Sequence, residues 1–115
     1  MTEQRRRSRR YPTDWAARFR FDAVADWRNC RLIDVSWEGA ALELYGVDAD
    51  ESLVGPMFVD IKSVTGRDDG FAVSGMIRHR ARTAMGRTIV GIEFRRLTVE
   101  ELQLLRVLVT LRAAV

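Results

Sequence analysis

The chain has 115 residues, 47% of them hydrophobic, which suits one domain with a buried core. It holds one cysteine, Cys30, and one histidine, His79; this excludes an internal disulfide and argues against a His-based metal site or a Ser-His-Asp triad. The formal charge of +3 is unevenly spread: five arginines against one acid give residues 1–10 a net +4, which leaves −1 on the other 105.

Residues 1–10 read as a flexible arginine arm. Such an arm needs an anionic partner to become ordered, whether phosphate, nucleic acid or an acidic surface. No apolar segment follows it, so it does not read as a secretory signal. No stretch reaches the roughly 20 apolar residues of a membrane span, and the expected location is the cytoplasm. Tyr11-Pro12-Thr13-Asp14 predicts an extended or turning lead-in, because Pro12 disfavours helix before it.

From Trp15 the pattern alternates, with Trp15, Ala17, Phe19 and Phe21 on one face and Arg18 and Arg20 on the other. That is the mark of a half-buried strand. Residues 29–35 predict a second strand, with Cys30 as a small core residue, and Ala40–Leu44 a third. Residues 45–56 are acidic, carry Gly46, Gly55 and Pro56, and read as loop. Met57–Val64 predicts a fourth strand, and Gly66–Gly70 a turn. Phe71–Arg82 and Arg87–Phe94 predict two longer strands joined around Ala84–Gly86. Short strands with regular turns indicate a closed or nearly closed barrel.

The period then changes. Thr98-Val99-Glu100-Glu101 fits a capping box, and Leu97 with Leu102 fits a hydrophobic staple. These signals predict a helix over 98–112. Its apolar residues exceed one stripe, so one face is expected to close an end of the barrel, leaving the remainder for more core or for a second subunit.

Two segments carry candidate chemistry. In Ile33-Asp34-Val35-Ser36-Trp37-Glu38-Gly39, Asp34 and Ser36 point the same way if the chain stays extended. They offer acceptors and a hydroxyl to a polar edge such as that of guanine. Gly39 allows a backbone conformation or a close approach that a side chain would block. The same residues also suit a plain Asx- or Ser-stabilised turn. In Arg5-Arg6-Arg7-Ser8-Arg9-Arg10-Tyr11-Pro12 the charge indicates phosphate without saying which; a solvated tail or a nucleic-acid contact would look alike.

Together, in this order and around a small barrel, the two segments resemble the PilZ family. That family carries Arg-x-x-x-Arg in an N-terminal loop and Asp/Asn-x-Ser-x-x-Gly on the first barrel strands. Arg6-Arg7-Ser8-Arg9-Arg10 supplies the first motif, with Arg5–Arg9 as a second register, and Asp34–Gly39 supplies the other. Val90-Gly91-Ile92-Glu93-Phe94 is similar to the last strand of such domains, and Leu97–Leu111 to their terminal helix.

The resemblance implies a mainly β fold: a six-stranded antiparallel PilZ-like β-barrel over residues 11–115, ending in a C-terminal α-helix and preceded by the flexible arm. It implies a receptor for the ligand cyclic di-GMP, with no cofactor, no metal and no catalytic residues. Arg6 and Arg10 would grip phosphate and stack on guanine, Asp34 and Ser36 would hold a base edge or phosphate, and Gly39 would let the ligand sit close. Arg5 is an added contact; Arg7 and Arg78 are further candidates. The expected partners are an unidentified effector protein and a second copy through the terminal helix. Two other readings are a nucleotide-independent PilZ-like protein-interaction module and a nucleic-acid-binding barrel, the latter opposed by the −1 body. The expectation is a receptor, not an enzyme, since paired acid/base groups and a phosphate-cradling Gly-rich loop are missing from the sequence.

Overall fold

The computed structural model describes residues 10–22, 24–48, 52–60, 72–95 and 97–113. Six strands form: β1 Tyr11–Arg20, β2 Arg28–Val35, β3 Gly39–Leu44, β4 Pro56–Asp60, β5 Ala72–Arg82 and β6 Thr88–Phe94. The helix α1 covers Val99–Ala113. The strands close into a barrel in the order β1-β2-β3-β6-β5-β4, each neighbouring pair antiparallel. The pairing of Arg18–Arg20 with Phe58–Asp60 closes the barrel.

The alternation in β1 explains its packing. Ala17 and Phe19 turn inward and are buried, while Arg18 and Arg20 lie on the outer face. Phe19 meets Phe21 edge to face, with ring centroids 5.5 Å apart. Burying a ring such as Phe19 contributes about 2–3 kcal/mol. Leu32, Val35, Leu42, Met57, Val59 and Val90 fill the same core, with Cys30 beside them. Leu105 of α1 is fully buried in this cluster, so the helix closes an end of the barrel as its excess of apolar residues led one to expect.

The capping box forms in both directions. The Thr98 N–H donates to Glu101 Oε1 at 2.9 Å, and the Glu101 N–H donates to Thr98 Oγ at 3.0 Å. The staple is not made as expected: Leu97 packs on the core, but Leu102 remains 46% exposed. Among the described residues of α1, Leu105 is buried in the core while Leu102 faces out.

Other boundaries also shift. The strand β1 begins at Tyr11 rather than Trp15, because Pro12 sits at an irregularity in the β1–β2 ladder, where a missing N–H is tolerated. The expected remainder of the fourth strand, 61–64, and the turn at 66–70 lie outside the described residues. The turn after β5 is made as expected, with the Gly86 N–H donating to the Thr83 carbonyl at 2.9 Å and Gly86 at φ 79°. That is the left-handed region, which favours glycine.

Carboxylates on the outside of the barrel are sealed by arginine. Glu43, 3% exposed, pairs with Arg31 at 2.8 Å and Arg87 at 3.0 Å. Asp60, also buried, pairs with Arg18. Arg18 and Arg20 in turn lie over the Trp27 ring, 5.2 and 4.1 Å from its centroid.

Candidate functional site

The site is built where the arm meets the barrel. The register of β1 on β2 pairs Tyr11 with Val35 and Pro12 with Asp34. Arg10, the last arm residue, therefore emerges beside Asp34, and its Nη1 lies 3.3 Å from Asp34 Oδ1. Both side chains are partly exposed, so the pair is open to solvent and to any anion or base that approaches.

A bulge aims Asp34 outward. Cys30 and Leu32 face the core, and simple alternation would send residue 34 there too. The β2–β3 register instead jumps from Leu32↔Leu42 to Asp34↔Ala41, so Ile33 has no partner of its own on β3. The extra residue flips the phase of the strand beyond it: Val35 becomes fully buried and Asp34 turns to the surface. On the other side, the Thr13 hydroxyl donates to the Leu32 carbonyl at 2.7 Å.

Ser36 does not share the open surface with Asp34, as an extended chain would require. It is 4% exposed, because the chain leaves the strand and turns there. Its Oγ accepts the N–H groups of Glu38 and Gly39, each at 3.2 Å, and its own N–H donates to the Gly39 carbonyl at 2.9 Å. The serine thus ties the turn. Gly39 has an equally local reason: a Cβ there would lie 2.0 Å from the Ile92 carbonyl oxygen of β6. A side chain at this position would force the β3–β6 pairing apart.

Arg78 sits in a β5 irregularity between Ile77↔Ile92 and His79↔Gly91. It is exposed, and its Nε lies 2.9 Å from Glu93 Oε1. Glu93 pairs with Gly39 across the β3–β6 ladder, so Arg78 reaches the surface next to the turn. Ser74, Met76, Arg78, Glu93 and Arg95 line an open groove of about 630 Å³ there. From the other side, Arg106 of α1 lies over Trp37 in the turn, its guanidinium carbon 5.8 Å from the ring centroid.

Comparison with known proteins decides the family. The sequence matches the PilZ domain family over residues 4–111. The chain belongs to the PilZ family. Among solved structures it is similar to the PilZ domain of YcgR from Escherichia coli, a complex with c-di-GMP, at 15% identity and a TM-score of 0.70, covering 96% of this chain and 93% of that one. It is also similar to the inhibitor of motility MotI/DgrA of Bacillus subtilis, at 12% identity and a TM-score of 0.67, covering 89% of this chain and 47% of that one. The longer YcgR chain in complex with c-di-GMP matches at 17% identity and a TM-score of 0.63, with 96% and 47% covered. This chain thus spans about half the length of the latter two proteins, and the likenesses establish a shared fold. No curated protein sequence matches.

The residue that precedes β1, Arg10, thus meets Asp34 of the Asp34–Gly39 segment. Arg5, Arg6 and Arg7 lie outside the described residues, so the choice between the two arginine registers rests on residues the structure does not describe. Among the described residues there is no cluster of His, Cys, Asp and Glu able to hold a metal ion, and no helix long and apolar enough to cross a membrane. Cys30 is a core residue whose thiol is pushed up to about 12 by burial. Sequence reading missed Arg106, because its nearness to the motif depends on how α1 docks. It also missed the arginine-bound Glu43, whose partners come from two other parts of the chain.

Proposed function

We propose that this PilZ domain is a cyclic di-GMP receptor that couples ligand binding to the ordering of its arginine arm, and through that to an effector protein. One observation carries the reading: the β1–β2 register and the Ile33 bulge bring Arg10 within 3.3 Å of Asp34 on an open surface. The solved PilZ domain of YcgR, similar in fold, is a complex with c-di-GMP, and this supports the choice of ligand.

The chemistry fits a molecule with two phosphates and two flat guanines. Arginine serves both, as a charged fork to phosphate and as a plane against a purine. Arg6 and Arg10 take these roles, with Arg5, and Arg7 as a further contact; Arg78 extends the surface. Asp34 accepts from guanine N–H groups. Ser36 and Gly39 serve by fixing the turn that presents Asp34. Each charge-assisted bond contributes about 1.5–3 kcal/mol, against about 1–2 kcal/mol of backbone entropy per arm residue ordered. Several arm contacts together are therefore of the same size as the cost of ordering a short arm, and ligand acts as a switch on it. The domain acts as a receptor without catalysis of its own. The exposed Val99, Leu102 and Val107 of α1 offer an apolar surface for the effector or for a second copy.

Isothermal titration of cyclic di-GMP tests this. Saturable heat is expected, with a stoichiometry of one ligand or a stacked pair. Duplex DNA should fail to compete, whereas binding through counterion release would make it a competitor and collapse with added salt. The absence of heat at high micromolar ligand overturns the reading.

A further inference from the structure

Trp37 combines features that turn structure alone does not require. Trp37 is 39% exposed, yet the backbone beneath it is held firmly. Ser36 Oγ accepts from the N–H groups of Glu38 and Gly39, and the Phe94 N–H donates to the Glu38 carbonyl at 2.8 Å. A large flat apolar surface is thus presented by a fixed turn, inside the segment that carries Asp34. Over it lies Arg106, exposed but held in position by its neighbour Leu105, which is fully buried in the barrel core. At 5.8 Å from the ring centroid the guanidinium is at the outer limit of a cation–π contact. Trp37 stays partly exposed with the guanidinium over its ring.

An indole face takes a purine by stacking, and a guanidinium takes a phosphate or caps a stacked base. Building on the receptor reading above, we propose that Trp37 and Arg106 form a second half of the ligand site: a guanine of cyclic di-GMP stacks on Trp37, and Arg106 reaches its phosphate. The helix α1 then belongs to the site. Occupancy fixes α1 against the turn, so the exposed Leu102 and Val107 of that helix report on the ligand.

The test is titration of cyclic di-GMP into wild type, Trp37→Leu and Arg106→Ala. Both side chains are exposed, and unchanged urea midpoints establish that the variants fold. Each variant is expected to bind about tenfold more weakly, as loss of one stacking or one phosphate contact implies. In Arg106→Ala the salt dependence of affinity should also shrink, which lost helix packing would not cause. Saturating ligand should quench tryptophan emission in wild type and not in Trp37→Leu. Wild-type affinity in both variants, beside a wild-type chain that binds, overturns this inference and leaves the receptor reading standing. A wild-type chain that gives no heat overturns both.

Discussion

Within the Asp34–Gly39 segment, Ser36 and Gly39 each hold the local backbone in place. Ser36 ties the turn instead of facing the open surface beside Asp34. The sequence allowed Gly39 to be there for a ligand's close approach. The nearer demand comes from Ile92, whose carbonyl oxygen would stand 2.0 Å from a Cβ. Gly39→Ala should therefore destabilise the barrel by about 3 kcal/mol, at the upper end for overpacking; a urea midpoint equal to wild type would contradict this. No sequence pattern reveals that contact, because Ile92 lies on a distant strand and meets Gly39 only after the barrel closes. Cys30 was legible as core, from its place in an apolar strand. Burial raises its thiol from the ordinary 9.0 to about 12. Between these two values the unfolded chain releases the proton and the folded chain keeps it, so stability falls as pH rises across that window. At pH 8 a thiol reagent should label folded protein only as fast as it opens. Immediate labelling would show that Cys30 is accessible.

The strands and the helix were largely legible, because alternation in β1 and the capping box at Thr98–Glu101 are strong signals. What escaped was phase. The Ile33 bulge is a property of the β2–β3 pairing, and it alone explains why Val35 is buried while Asp34 faces out. The start of β1 was hidden for a related reason, since Pro12 is acceptable in a strand only at the irregularity where it lies. The helix start was readable from side-chain chemistry, and both bonds of the capping box are present. Thr98→Ala should cost about 1 kcal/mol of stability, measured by urea denaturation, because it leaves the Glu101 N–H without its acceptor. Loss of less than a few tenths would mean that the box does not hold α1.

For the molecule as a whole, charge separation was visible at once: a strongly basic arm on a nearly neutral body. The closed barrel gives that separation a direction. Pairing β1 with β2 delivers Arg10 to Asp34, and the docking of α1 brings Arg106 over Trp37 in the turn that follows. Two buried carboxylates are paired within the fold, Glu43 by two arginines and Asp60 by Arg18. The Arg10–Asp34 pair is open instead, and a partly exposed pair contributes only about 0–1 kcal/mol to stability. Its members are therefore dispensable for folding and available for recognition. The most direct measurement titrates cyclic di-GMP into wild type, Arg10→Ala and Asp34→Ala, with circular dichroism on each. Saturable binding by wild type, lost in both variants with unchanged spectra, is the predicted result; wild-type affinity in both variants would contradict the account.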